Sequence, residues 1–460
     1  MRVGLRSVAD LDSGILRLNG SYYLSADRVL SDALEGWSGD SRLAGDVAEI
    51  FKGNIFRRIY VDDVTHSRPY VSASDLDRTD YWGCRRISTI HGTLLDELAL
   101  TEGMTVITRS GVNLGWGAMV RPDLSGVVGS DDLIRVVASD AADGPYIGAF
   151  LCSAPGVLSI RKYTYASSIK HVEPEHVAAI RIPWPARKVR DSIGKEFWLA
   201  ATKRSESSRL IEQATESLFR HVGLSDVDDG EWQKWGRDTG FAGAASQLSL
   251  RAWNYSPRAQ RLLNGLRSVP NQPLVDLVVP RSLRKGPSFA RIDASPPFSV
   301  QLIGQRQLFR YVPDGREIDR GRLPKGAFCA PGTIAIASVG TFGEAEVFCR
   351  AQYVSKYASQ WAYSNHILRV VPQAGMSGWL YAFLRSRTAF RILRSFATGS
   401  KQQDLHPEML ASLPVPKGSE AAYSDVNALI SAASSLRDEA FALEEQAKAR
   451  VQALILGEAN

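Results

Sequence analysis

Several kinds of chemistry are poorly provided for in this chain. Four cysteines occur in 460 residues, Cys84, Cys152, Cys329 and Cys349, and no two form a Cys-x-x-Cys pair. Neither a disulfide framework nor a zinc site follows from that spacing, and a reducing compartment fits it. The four read as small apolar side chains. Seven histidines are scattered without metal-ligand spacing. No run approaches the roughly 18 to 20 uninterrupted apolar residues needed to cross a bilayer. Met1-Arg2-Val3-Gly4-Leu5-Arg6 leads into no apolar core with a small-residue cleavage site, so a signal peptide is not expected and a cytoplasmic protein is.

Charge of either sign is ordinary. A net charge of +6 and a pI near 9.1 permit a nucleic-acid partner without demanding one. The length exceeds one ordinary core, and two to three domains are expected.

Internal repetition is what the chain does have. Lys52-Gly53-Asn54-Ile55-Phe56-Arg57-Arg58 aligns with Lys285-Gly286-Pro287-Ser288-Phe289-Ala290-Arg291. Asp132 to Val136 aligns with His366 to Val370, Ala149-Phe150-Leu151 with Ala382-Phe383-Leu384, Pro174-Glu175 with Pro407-Glu408, and Ile182-Pro183 with Val415-Pro416. Nearer the start, Leu18 to Leu34 aligns with Leu250 to Leu266. Collinear matches at one near-constant offset indicate a duplicated domain rather than a solenoid. Runs such as Met104-Thr105-Val106-Ile107 and Thr333 to Ala337 read as strands, and Gly378 to Ser395 as short helices.

Each half closes on a proline signal, Pro183-Trp184-Pro185 and Pro414-Val415-Pro416, followed by a long helix. In the second helix Val426, Ala433, Ala440, Ala447 and Leu454 recur every seven residues, with Leu429, Leu436 and Leu443 three further on. In the first, Ile193, Ala200, Ser207 and Ala214 recur likewise, with Phe197, Ile211 and Leu218 four further on. Two readings are open: amphipathic helices that each cover their own domain, or an antiparallel coiled coil with close approach along the small-residue lines. A helix of about 30 residues spans about 45 Å, so a pair would act as a ruler holding the halves apart.

The expected fold is mixed α/β (α+β), with two similar globular recognition domains separated by two long antiparallel coiled-coil helices in a pseudo-twofold tandem repeat. Its boundaries are an N-terminal helical segment over 1–40, a first domain over 41–186, a helix over 187–223, a linker over 224–246, a second domain over 247–417 and a second helix over 418–457.

Several segments resemble the specificity (S) subunits of type I restriction-modification systems. Phe396-Ala397-Thr398-Gly399-Ser400-Lys401-Gln402-Gln403-Asp404-Leu405, running on to Leu413-Pro414-Val415-Pro416, is similar to the closing segment of that family's recognition domains. Tyr165 to Val172, running on to Pro183, is a weaker copy without the counterparts of Gly399 and Gln402. The loops Arg109 to Gly115 and Ser338 to Gly343 resemble the family's glycine turn after a strand, and Arg17 to Tyr23 resembles its opening. The resemblance implies a non-catalytic subunit that reads one half of a split double-stranded DNA site with each domain. It further implies that the helices dock two methyltransferase subunits, that those partners bind S-adenosylmethionine, and that a translocating nuclease subunit can join.

Reading DNA takes cations and amides at exposed turns for phosphates, and Arg, Asn, Gln or Lys for base edges. The repeated Lys-Gly-x-x-Phe-x-Arg leads the candidates, with Lys52, Asn54, Arg57 and Arg58 in one copy and Lys285 and Arg291 in the other. Its glycine would let backbone approach a phosphate and its phenylalanine would anchor the turn; the competing reading is a solvated basic loop. Arg281 and Arg284 stand just before the second copy. Arg109, Asn113 and Trp116 follow, then Lys162, Tyr163 and Lys170, then Thr341, Ser400, Lys401 and Gln402, with Arg306-Gln307 and Lys356-Tyr357 last.

Catalytic readings fare worse. Ser295-Pro296-Pro297-Phe298 resembles the base-holding motif of amino-methyltransferases, but the one G-x-G, Gly115-Trp116-Gly117, has neither a preceding acidic strand nor a following helix. Pro313-Asp314 with Glu344 and Glu346 lacks the lysine of a nuclease cluster, and no G-x-x-x-x-G-K-[ST] is present. A stand-alone methyltransferase and a protein-only scaffold remain the alternatives to a DNA-reading adaptor.

Overall fold

The computed structural model describes residues 26–79, 81, 83–90, 95–111, 113–163, 171–245, 248–311, 313 and 315–458. The first half opens with α1 (Ala26–Glu35), β1 (Ser41–Leu43), α2 (Ala44–Val47) and β2 (Ala48–Lys52). Six strands follow: β3 (Ser67–Val71), β4 (Arg86–Ser88), β5 (Thr105–Thr108), β6 (Gly117–Met119), β7 (Val128–Gly129) and β8 (Leu133–Ala138). Then come α3 (Gly144–Cys152), α4 (Ala154–Lys162), α5 (Pro174–Ala178), β9 (Arg181–Pro183) and the long α6 (Arg187–His221). Proline enters α3, α4 and α5 in the first turn, where its missing N–H costs no helical bond.

The second half begins with α7 (Asp229–Lys234), α8 (Pro257–Arg267), β10 (Asn271–Pro273) and β11 (Arg284–Lys285). Its strands continue as β12 (Ser299–Ile303), β13 (Arg316–Asp319), β14 (Ile334–Ala337), β15 (Val339–Gly340), β16 (Ala351–Tyr353), β17 (Ala362–Tyr363) and β18 (Ile367–Val370). It closes with α9 (Ser377–Leu384), α10 (Arg387–Ser395), β19 (Ala397–Thr398), β20 (Gln403–Leu405), α11 (Pro407–Ala411), β21 (Pro414–Pro416) and α12 (Glu420–Leu456).

Topology repeats in three sheets, while a further sheet of the second half, ordered β15-β20-β19, has no counterpart among the described strands of the first. An antiparallel sheet ordered β2-β8-β5-β6 in the first half has its counterpart in β11-β18-β14-β16. A smaller sheet ordered β4-β3-β7, antiparallel then parallel, matches β13-β12-β17, and the β1–β9 pair matches β10–β21. The register repeats as well: Lys52 faces Ile134, and Lys285 faces Leu368. Central β5 (Thr-Val-Ile-Thr) and β14 (Ile-Ala-Ile-Ala) are buried along their whole length, which is why neither shows alternation of apolar and charged residues.

Helices α6 and α12 run antiparallel and pair along their length, so the coiled-coil reading holds over that of two separate helices. Ala200, Ser207 and Ala214 of one rod and Ala433, Ala440 and Ala447 of the other are all buried, and the Ser207 hydroxyl donates to the Ala433 carbonyl at 2.7 Å across the seam. The second line of α12 lies four residues after the first, at Ile430 and Val451, as it does in α6 at Phe197 and Leu218. The expected seam through Leu429, Leu436 and Leu443 is therefore corrected, since these leucines are only half-buried along the flank. Each domain core draws on both rods. Ile193 and Phe197 join Ala447, Val451 and Ile455 in the first half, and Ala214 and Leu218 join Val426 and Ile430 in the second.

The ruler expectation also needs amendment, because the halves touch. Arg78 and Arg310 form an isolated antiparallel bridge, with the Thr79 N–H donating to Phe309 O at 2.9 Å and the Tyr311 N–H to Asp77 O at 2.8 Å. The expected linker is not wholly irregular either: it holds α7, whose Gln233 amide donates to the Asp62 carbonyl of the first half. Of the expected N-terminal helical segment, α1 packs on α4 and α12, while the opening repeat around Leu18 to Tyr23 lies outside the described residues.

Candidate nucleic-acid interface

A cleft of about 1320 Å³ opens between the halves, with walls from both. One side carries Arg58, Arg85 and Arg109, the other Arg306 and Lys401, and the bridge residues Arg78 and Arg310 lie between. Four carboxylates, Asp75, Asp131, Asp132 and Glu346, face these seven cations, so the wall is net basic.

The loop after β2 and the turn after β5 set the first wall. Arg58 donates through Nε to Asp131 at 3.1 Å; burial pulls its pKa down, but this bond and the field of Tyr70 and Asp131 hold it above the usual guanidinium range. Arg109 reaches Asp132 at 3.1 Å and also binds Glu173, which Lys52 meets at 2.7 Å. The bond from Arg109, with that from Lys52, holds the Glu173 carboxyl down at about 2. Lys52 thus acts from behind the wall, orienting Arg109 through a shared carboxylate. Above them Arg85 lies 4.8 Å over the exposed Tyr60 ring, a cation–π pair at the rim.

The glycines of the leading sequence motif meet a packing demand, while Arg58 of its first copy lines the cleft. A Cβ on Gly53 would lie 2.2 Å from Leu98 Cδ2 and 3.4 Å from Arg135 Nη1, and one on Gly286 would lie 2.5 Å from Arg369 Nη2. These arginines are equivalent by the repeat. Arg135 is fully buried and donates to the carbonyls of Leu133 (3.0 Å), Leu98 (3.1 Å), Gly129 (3.2 Å) and Ser130 (3.3 Å). Arg369 reaches the carbonyls of Ala327 and Phe328 in the same way. The glycines make room for these guanidinium staples. Phe56 and Phe289 do anchor their turns, each against its small sheet.

The other candidates divide. Arg58, Arg109, Thr341, Lys401 and Gln402 share the cleft. Asn54, Arg57, Arg281, Arg284, Arg291 and Ser400 are exposed but do not line it, and Lys285 is ion-paired to Asp404. Trp116 packs against the first domain's core and its backbone N–H closes a turn on the Asn113 carbonyl at 2.9 Å; neither residue lines the cleft. Lys162 holds Glu35 of α1 at 2.9 Å, and Tyr163 stacks on His176 at 5.8 Å. Lys170 lies outside the described residues. Tyr357 packs on Phe441 of α12 at 4.0 Å and fastens its domain to the rod.

Arg78, Arg85, Arg310, Gln305 and Tyr60 were not legible as site residues, and Arg306-Gln307, placed last, line the cleft. A signal existed: Arg78 and Arg310 are 232 positions apart, as are Ser74 and Arg306, in register with the repeat. Ser295-Pro296-Pro297-Phe298 stands away from the cleft as a turn before β12, with Phe298 exposed. Among the described residues no cluster of His, Cys, Asp and Glu is placed to hold a metal ion, and no helix is long and apolar enough to cross a membrane.

No protein-family model and no curated protein matches the chain. Among solved structures it is similar to the S subunit of a type I restriction-modification system from M. genitalium, at 11% identity over 91% of this chain and 95% of that one, with a TM-score of 0.33. It is similar also to the HsdS subunit from Thermoanaerobacter tengcongensis, at 14% identity over 91% of this chain and 97% of that one, with a TM-score of 0.28. A third similar structure, described by complex assembly and conformational transition of the type I R-M system, shows 14% identity over 92% of this chain and 99% of that one, with a TM-score of 0.29.

Proposed function

We propose that this chain is the non-catalytic DNA-specificity subunit of a type I-like restriction-modification or methylation-based defence complex in the cytoplasm, reading a split duplex site with its two domains. One observation carries the reading: a duplication of three sheets whose halves meet about a pseudo-dyad and share a basic cleft. A duplex has dyads of its own, so two like modules related by a twofold axis can present the same face to successive half-sites. Exposed Arg85, Arg306 and Lys401 supply phosphate neutralisation, and exposed Gln402 supplies an amide able to pair with a base edge, whereas the Gln305 amide is closed on the Val339 backbone at 2.8 and 2.9 Å.

On this reading the paired rods dock two methyltransferase subunits, which bind S-adenosylmethionine and transfer the methyl group, and a translocating nuclease can join them. The chain itself contributes recognition and geometry.

The test is selection from a randomised duplex library by the chain assembled with its methyltransferase partners. Recovery of two defined half-sites separated by a fixed unspecified spacer is the expected result. Methyl transfer by the purified chain alone, or no sequence enrichment by the assembled complex, would overturn the proposal.

A further inference from the structure

The dyad bridge is more than a touching point. Thr79 receives a 2.8 Å bond on its hydroxyl from the Gln352 amide of the other half, and the Gln352 carbonyl in turn accepts from Arg437 of α12 at 2.9 Å and from Tyr381 at 3.0 Å. On the opposite side Arg204 of α6 lies 4.7 Å over the Tyr311 ring, and Arg121 of the first domain lies 5.0 Å over the same ring. Arg204 and Arg437 are 233 positions apart, so one equivalent arginine from each rod clamps each side of the bridge. Gly83 of the first half abuts Arg350 of the second so closely that a Cβ would lie 2.0 Å from its Nη2. The joint is thus bolted to the middle of both rods and lies between the cleft walls.

Resting on the DNA-reading proposal above, we infer that the halves stay joined at this bridge when DNA is bound. The segments Asp77–Thr79 and Phe309–Tyr311, rather than rod length alone, then set the spacing between the two half-sites. A rigid joint between two reading surfaces leaves one separation along the duplex, whereas two domains joined only through rods could swing.

Cross-linking tests this. Arg78 and Arg310 form the non-hydrogen-bonded pair of the bridge. Such a pair has Cα atoms about 4.5 Å apart, within disulfide range. The assembled complex carrying Arg78→Cys and Arg310→Cys is compared oxidised and reduced, with each single variant as control, on libraries of the selected half-sites at varied spacers. The expected result is the same preferred spacer in both states, with affinities within about threefold. Binding by the reduced form with a loss of about tenfold or more on oxidation, or a changed spacer, overturns the inference while leaving the DNA reading intact. Absence of binding by the unsubstituted complex overturns the DNA reading instead. A loosened variant, Thr79→Pro with Gln352→Ala, supplies the second arm, which also decides the case should both cysteine states fail to bind. Tolerance of several spacer lengths supports the bridge as the gauge, and an unchanged single spacer overturns it.

Discussion

Arg204 of one rod and Glu444 of the other form an ion pair in the middle of the spine, with both side chains 12% exposed. Lys448, one turn further along α12, binds the same carboxylate. A charged layer in an otherwise small and apolar seam favours one alignment of the two helices, because sliding either rod by a turn would strand buried charge. Replacing Glu444 by Gln leaves Arg204 without its counter-charge and Lys448 with only Glu445 at 3.4 Å, and we expect a loss of about 3–5 kcal/mol in unfolding free energy. Denaturant titration checks this. Replacing the three residues together by apolar side chains of similar volume should cost far less.

The same pair makes acid stability predictable in sign. Burial raises the Glu444 pKa, but the fields of Arg204 and Lys448 outweigh it and hold the carboxyl down at about 2. A carboxyl depressed in the folded state binds its proton more readily once unfolded. Its contribution is therefore full above the ordinary carboxylate range and is lost as pH falls from about 4.5 towards the folded value. Melting temperature should drop steeply over that interval in the unaltered protein and less steeply in Glu444→Gln.

Neutralising the cleft should separate binding from folding. Arg85→Ala, Arg306→Ala and Lys401→Ala should each weaken DNA binding, with melting temperature unchanged. Each should also lower the salt-dependence slope by about 0.9 for every phosphate no longer neutralised. Arg57→Ala and Arg291→Ala, outside the cleft, should do neither. Fluorescence anisotropy across a salt series distinguishes the two groups.

The Lys-Gly motif should behave in the opposite way. Gly53→Ala forces a methyl against Leu98 and Arg135, and we expect a loss of about 1–3 kcal/mol from overpacking. Arg135→Met removes a donor shared by four carbonyls, of which Ser130 O keeps the Leu133 N–H, and should cost about as much or more. Both effects belong in thermal unfolding, while DNA affinity measured well below the melting temperature should stay close to that of the unaltered protein.

Glu173 offers a gain-of-binding test. It neutralises Arg109 and Lys52 on the first wall, and its low pKa keeps it ionised throughout the neutral range. Glu173→Gln should raise DNA affinity by about two- to fivefold at low salt, and the gain should fade as salt is added.

What could be read from the chain and what could not follow from how each feature is encoded. The duplication, the strand order implied by matched segments and the two closing helices are local or periodic patterns. The matches of Lys52 with Lys285 and of Asp132 to Val136 with His366 to Val370 reappear as equal register in two sheets. Periodicity alone misplaces the second line of the α12 seam, because leucines at 429, 436 and 443 are more apolar than Arg437 and Glu444. Those two take the inner positions because partners meet them there, Arg204 across the seam for Glu444 and Gln352 and Tyr353 of the second domain for Arg437. The recurrence of Lys-Gly-x-x-Phe-x-Arg is real but has a different cause from the one its composition suggests, since a packing requirement repeats as faithfully as a binding one.

By itself the amino-acid sequence determined that a module is doubled, that each copy ends in a long helix and that those helices can pair, because hydrophobic periodicity acts over neighbouring turns and strands. Only tertiary structure decided which arginines are buried staples, which are clamps and which face a cleft. A guanidinium's role depends on the carbonyls, rings and carboxylates that folding brings to it, such as Leu98 to Arg135 or Tyr311 to Arg204, and no local pattern records that meeting. The joining of Arg78 to Arg310, and with it the separation of the two reading surfaces, exists only once both halves have folded onto one spine.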